Sequence, residues 1–281
     1  MLDFNSFSDS PEYLQEKLLV IQNSANYGQA VFLAGGAGSG KGFAIQNFIE
    51  NNKFKIRDVD EWKKSFIKLS KLTGKNQEIS KLNLRNPKHV FFLHKFLKDK
   101  NIKEKTLDLL LKDISATHLP NVLFDASMAD MKSLKPSFDD LERVGYKPEN
   151  IHIIWVLANY SIAVKNNKSR ERIVPDDILL NVHEGSAITL YNMIKNNNLP
   201  KGMNGGIYVI LNNPEHTIYY ADDKGNKITN SKGKSIIKDF KYITIKKPGK
   251  AMRNNAMSNE LYSWIINNVP KTDLTKYIWD N

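Results

Sequence analysis

Short apolar runs alternate along the chain with longer stretches in which apolar residues recur every three or four positions. Val31 to Ala34, Phe54 to Arg57, Asn121 to Phe124 and His152 to Leu157 are such runs, bounded by Gly, Asn or Asp, and they predict buried strands. The amphipathic stretches between them predict helices at Lys41 to Asn51, Asp60 to Leu72, Pro87 to Lys98, Ile102 to Ser115, Lys135 to Val144 and Asp176 to Lys195. A further helix is expected at Pro11 to Ser24, packed on the domain edge. Buried strands separated by helices predict an α/β fold with a parallel sheet flanked by helices.

The pattern changes at Asn197 to Gly206, a turn-rich connector. Beyond it, Gly206 to Leu211, Thr217 to Tyr220 and Tyr242 to Ile245 read as strands, Asp223 to Gly225 as a hairpin turn, and Ser258 to Asn268 as a last helix. The chain therefore divides into residues 1–205, the main domain, and 206–281, which supply a last core strand followed by a β-rich and helical C-terminal extension. GNKITNSKGKS within the extension is expected to be a mobile loop.

A chain of 281 residues with 41% hydrophobic and 25% charged positions is long enough to build a core without staples. No run approaches the roughly 20 apolar residues of a membrane span, and the N-terminus lacks a basic region followed by an apolar one. A cytoplasmic protein with no membrane partner is expected. There is no cysteine, which excludes disulfides, thiolate metal sites and a thiol nucleophile. The net charge of +11 favours phosphate-rich partners, nucleotide or nucleic acid. The same excess also fits the Lys- and Asn-rich usage that A+T-rich coding produces.

Gly35, Gly36, Ala37, Gly38, Ser39, Gly40 and Lys41 satisfy GxxxxGK and sit between a predicted strand and a predicted helix. Glycines let the backbone amides turn inward, the helix N-terminus adds its dipole, and Lys41 reaches the β- and γ-phosphates. This is a Walker A element, so the expected fold is that of a P-loop NTPase binding ATP or GTP with Mg²⁺. Gly42 belongs to the cradle but stands where Ser or Thr would offer Mg²⁺ a hydroxyl, and Phe43 follows it.

Carboxylates at the ends of parallel strands face the ligand crevice. Asp125, closing NVLFD, is either a ligand for Mg²⁺, directly or through water, or an N-cap over Ala126 to Ala129. Asp60, and after it Asp58, is either a general base facing the γ-phosphate or an N-cap for the following helix. Arg170 and Arg172, preceded by Lys165 and Lys168, fall in a lid at about 160–176; guanidinium groups there would stabilise a transferring phosphoryl group, against the alternative of a solvated helix face. His183 is either structural or a substrate contact. No HExxH or comparable constellation is present, so a protein-bound catalytic metal is not expected.

The order GGAGSGKG, RDVDEWK, NVLFDAS, LERVGYKPENIHIIWVLA and RERIVPDDILLNVHEG resembles the P-loop kinases of the zeta-toxin and polynucleotide-kinase-like group over about residues 30 to 195. The resemblance implies a kinase acting on a hydroxyl, with Asp60 as the activating acid, Lys63 in place of an Arg, Lys41 on the phosphates and Arg170 and Arg172 in the lid. Acceptors in the group range from nucleotide sugars to polynucleotide ends and modified DNA bases. A bacteriophage origin, hence a host cytoplasm, fits the base composition and basic charge. The rival expectation is a nucleotide-binding module with little catalysis, whose C-terminal region binds a protein or nucleic acid. A motor-type ATPase fits less well because Ala126, not an acid, follows Asp125.

Overall fold

The computed structural model describes residues 27–49, 54–112, 119–229, 235–252, 256–270 and 272. The helix expected at Pro11 to Ser24 and the centre of the GNKITNSKGKS segment lie outside them. In chain order the elements are β1 (Ala30–Ala34), α1 (Lys41–Phe48), β2 (Phe54–Asp58), α2 (Val59–Thr73), α3 (Gln77–Ser80), α4 (Pro87–Asp99), α5 (Ile102–Leu111), β3 (Asn121–Asp125), α6 (Lys135–Arg143), β4 (Ile151–Leu157), α7 (Tyr160–Ser169), α8 (Asp176–Lys195), β5 (Ile207–Leu211), β6 (Thr217–Tyr219), β7 (Ile237–Phe240), β8 (Tyr242–Lys246) and α9 (Asn259–Asn268).

The central sheet runs β2-β3-β1-β4-β5-β8, parallel except for β8, which pairs antiparallel to β5. Every residue of β1, β4 and β5 is buried, because layers cover both faces. Alternate side chains enter opposite cores. Phe32 and Trp155 point to one core with Phe124, Phe138, Tyr191 and Leu261, while Val31 and Val156 point to the other with Ala44, Phe48 and Ile210. Phe32 stacks on Phe124 at 4.6 Å and on Phe138 at 4.3 Å.

Caps explain several helix boundaries. The Asn86 side chain accepts from Lys88 N at 3.0 Å with Pro87 at the first helical position, so α4 begins there. Asn159 caps α7 and Ser258 caps α9 in the same way. Two expected helices end early: Ile49 turns extended after α1, and α5 stops at Leu111. Three elements were not anticipated, the single-turn α3 among them. α7 forms through the lid despite its Asn pair, and β7 forms from IKDF, where the burial of Ile237 outweighs an intervening Lys and Asp.

The C-terminal residues join the main sheet before they leave it. β5 adds its fifth parallel strand and β8 an antiparallel edge, while β6 and β7 make a separate two-stranded ribbon. Phe240 of that ribbon stacks on Phe48 of α1 at 3.8 Å. From β1 the chain passes outward to β2, returns to β3 between them, and then crosses to β4 on the far side of β1. That reversal opens a crevice at the carboxyl ends of β1 and β3.

Candidate functional site

The loop from Gly35 to Gly40 leaves β1 at this crevice and is held by side chains from three later elements. His183 of α8 lies with Nε2 2.7 Å from the Ala37 carbonyl, Asn166 of α7 donates to Gly38 O at 3.0 Å, and Asn212, just after β5, donates to Ser39 O at 2.8 Å. Each held carbonyl sends the next N–H the opposite way across a planar trans peptide. That is the arrangement a phosphate cradle needs, although the Ser39 amide turns back to Gly36 O at 3.3 Å. Glycine is required at Gly35 (φ 130), where a side chain would meet the Val156 carbonyl, and at two positions further on. Gly38 (φ 77) and Gly40 (φ 93) are left-handed, and a side chain would run into the Ala163 carbonyl at the first and the Asn212 amide at the second.

Lys41 opens α1 and folds over the loop, with Nζ donating to Gly35 O at 2.8 Å and Gly36 O at 3.1 Å. Its ammonium lies 3.6 Å from Asp125 Oδ1 at the end of β3. No helix follows Asp125, since residues 126–130 are irregular and α6 begins only at Lys135; this removes the N-cap alternative. On the neighbouring strand Asp58 is the register partner of Asp125, which sets two carboxylates side by side at the sheet's edge. Asp58 Oδ1 also accepts from Glu61 N at 3.4 Å, a loose cap for α2. Asp60 lies in the first turn of α2, and its side chain is outside those described.

A cleft of about 670 Å³ is lined by the glycine loop, Lys41, Asp58, Asp125, Arg170 and Arg172. The lid is α7 followed by an irregular strap, residues 170–175, that bends at 170–172. Asn167, fully buried, fixes the strap by donating to Val174 O at 2.8 Å and accepting from Val174 N at 3.1 Å. Ile173 N adds a bond to Leu84 O at 3.0 Å, ahead of α4. Arg170 and Arg172 fall on one side of the strap and meet the cleft, whereas Glu171 turns to Lys64 of α2 at 3.4 Å. Lys165 and Lys168 are exposed on α7.

The other wall of the cleft is largely apolar. Val90 and Phe91 of α4 face Pro175, Ile178 and Val182, with His94 and the buried Lys63 beside them. Of these, only Lys63 was visible as a candidate in the sequence; the tandem Phe91 and Phe92 on a helix that already buries Val90 and Leu93 was the available signal. His183, which the sequence left open as a substrate contact, proves to be a brace for the loop. Its ring fills the space a side chain at Gly36 would need and packs edge-on to Tyr160 at 5.4 Å. Burial, with Lys41 nearby, holds its pKa below the ordinary value against the opposing bond to Ala37. It is therefore neutral at pH 7, with the proton on Nε2 because a carbonyl only accepts.

No protein-family model matches the chain, and no curated protein matches it in sequence. Solved structures show a likeness of shape. An AvrRxo1-ORF1:AvrRxo1-ORF2 complex with sulphate ions gives a TM-score of 0.49 at 12% identity, over 92% of this chain and 70% of that one. A second structure of that pair, with ATP, gives 0.49 at 11% identity over 92% and 69%. The PezAT chromosomal toxin-antitoxin system of Streptococcus pneumoniae gives 0.44 at 13% identity over 71% and 75%. What the cleft can do is decided by its own residues.

Among the described residues no group of three or more His, Asp or Glu side chains is placed to hold a metal ion. Asp125, 3.6 Å from the Lys41 ammonium, and Asp58 beside it are acids that could hold an ion arriving with a nucleotide, and the open space at Gly42 leaves room for a water shell. Among the described residues no helix is long and apolar enough to cross a membrane.

Proposed function

We propose that this chain is an ATP-dependent kinase that transfers the γ-phosphate to a hydroxyl of a nucleic acid, nucleotide or nucleotide sugar. One observation carries the reading: the loop with Lys41 and Asp125, Asp58 at the end of β2 and the two lid arginines border a single cleft whose remaining wall is largely apolar. A site for hydrolysis needs only a water opposite the phosphate. An apolar wall of Val90, Phe91, Ile178 and Val182 suits an organic acceptor instead.

In this reading Lys41 and the loop amides hold the β- and γ-phosphates, and Arg170 and Arg172 stabilise charge on the equatorial oxygens. Asp125 holds Mg²⁺ directly or through water, and the ion neutralises phosphate charge when bound. Asp60 takes the acceptor's proton as its oxygen forms the new P–O bond and ADP leaves with the electrons of the broken one. Asp58, whose carboxylate is at the cleft, is the other candidate for that proton. The rival reading, a nucleotide-binding module with little catalysis, is favoured by Gly42, which brings no hydroxyl to the metal shell.

The test is transfer from γ-labelled ATP to a panel of DNA, RNA, nucleosides and nucleotide sugars, with Lys41→Ala, Asp58→Asn and Asp60→Asn alongside. Transfer to one acceptor class, abolished by Lys41→Ala, is expected. ATP binding without transfer to any acceptor would sink the kinase reading. Full activity in Asp60→Asn with loss in Asp58→Asn would move the base to Asp58.

A further inference from the structure

The chain's surplus of cations is not spread along it, as a bias of coding alone would leave it. Residues 61–100 hold eleven Lys and Arg against three acids, a net +8, while the other 241 residues hold thirty against twenty-seven. Those forty residues build α2, α3 and α4, a helical unit with its own small core of Ile67, Ile79, Leu93 and Leu97.

Lys64, Lys68 and Lys71 follow one another at steps of four and three and so share a face of α2. With Arg85 they line a groove of about 590 Å³ floored by Ile67, Leu82 and Leu84. Glu171 is the acid on its rim and is engaged by Lys64. The lid strap separates the groove from the cleft: Glu171 borders the groove, Arg170 and Arg172 the cleft. On the cleft side, Phe91 of α4 is 55% exposed, and its neighbour Phe92 is 45% exposed.

We propose that the α2–α4 unit is a binding surface for single-stranded nucleic acid. Its phosphodiesters lie along Lys68, Lys71 and Arg85, a base stacks on Phe91, and a hydroxyl of the strand is thereby brought to the cleft. A cationic groove and an exposed aromatic ring on one helical unit are what a single strand requires, since its bases are open to stacking. Duplex DNA would use the cations and leave the ring without a role. An anionic bilayer would need the apolar groups on an open face, whereas Phe91 lines the cleft. Delivery of the hydroxyl rests on the kinase reading; binding does not.

The experiment is fluorescence anisotropy of the full chain with labelled 12-nucleotide dT and U strands between 50 and 200 mM salt, ATP binding being measured in parallel. The triple variant Lys68→Ala, Lys71→Ala, Arg85→Ala should weaken binding about 30-fold at low salt and flatten the log–log salt slope by about 2, with ATP binding kept. Phe91→Ala should weaken binding about tenfold without changing the slope. A control triple of exposed lysines elsewhere, Lys132→Ala, Lys224→Ala, Lys250→Ala, should bind as wild type. Equal loss in the control, or wild-type affinity in the first triple, overturns the proposal. So does binding to vesicles containing phosphatidylserine, lost in the first triple, without binding to either strand. Failure here with ATP binding and transfer intact leaves the kinase reading standing.

Discussion

His183 Nε2 and the Ala37 carbonyl, 146 residues apart in the chain, meet at 2.7 Å. This contact ties the centre of α8 to the apex of the glycine loop, and the ring also occupies the space beside Gly36. The loop's shape is thus set by tertiary packing as much as by its glycines. Replacing the ring by a smaller apolar group removes a donor from a half-buried carbonyl and opens a gap behind the loop. His183→Ala is expected to weaken ATP binding about tenfold, as read by calorimetry, with the fold retained. His183→Gln, which keeps a donor, should recover part of the loss; wild-type affinity in His183→Ala would mean that the loop holds its shape unaided.

The buried Asn167 gives a second prediction. Its side chain closes both backbone groups of Val174, so Asn167→Ala leaves a buried N–H and C=O without their partner, a cost of about 2–3 kcal/mol. The strap carrying Arg170 and Arg172 would then loosen. A fall in transfer rate of about tenfold or more, with ATP affinity changed by less than threefold, is the expected split. A fall in affinity equal to the fall in rate would show that the strap acts in nucleotide binding rather than in the transfer step.

Much of this site was legible because its residues are bound to a local pattern. The glycine loop needs a strand before it and a helix after it, and both are written in adjacent apolar runs; Asp125 closes a run in the same way. Asn212 and Asn166 could not be read so. Each reaches the loop from more than 120 residues away, and an asparagine that caps a turn looks the same in sequence as one that braces a phosphate cradle. The apolar wall was hidden for a different reason. Phe91 belongs to an amphipathic helix that buries Val90, Leu93 and Leu97 and leaves Phe91 and Phe92 both exposed, and only the placement of α4 shows which of the two rings meets the cleft.

At the other end of the sheet, His152 gives a pH test unrelated to the cleft. Its Nδ1 accepts from Gly206 N at 2.9 Å while Nε2 is 2.7 Å from Gln29 Oε1, so the ring is neutral with the proton on Nε2. Burial, reinforced by the Lys246 ammonium, pushes its pKa down from 6.5 to about 4. Between those values the unfolded chain binds a proton that the folded chain does not, so stability is present above about pH 6.5 and is lost as pH falls toward 4. The whole contribution is about 3 kcal/mol, of which about 2 is gone by pH 5. Urea midpoints at pH 7.5 and pH 5 should differ less in His152→Gln than in wild type. Identical differences would remove His152 as the source.

Gly42 separates the loop's structural glycines from its chemical one. A side chain at Gly36, Gly38 or Gly40 meets a ring, a carbonyl or an amide, but one at Gly42 meets nothing within 4 Å. The absence of a hydroxyl there is therefore not forced by packing. Gly42→Ser should fold at least as well, gaining about 0.5 kcal/mol because glycine is a poor residue within a helix such as α1. It should also add an oxygen beside the phosphate cradle and tighten the apparent Mg²⁺ dependence of ATP binding about three- to tenfold, measured by titrating Mg²⁺ at fixed ATP. Gly38→Ala, strained at φ 77 and blocked by Ala163, should instead lower ATP affinity about 100-fold. If Gly42→Ser left the Mg²⁺ dependence unchanged, the ion would be held on the Asp125 side of the cleft alone, and the missing hydroxyl would cost this chain nothing in catalysis.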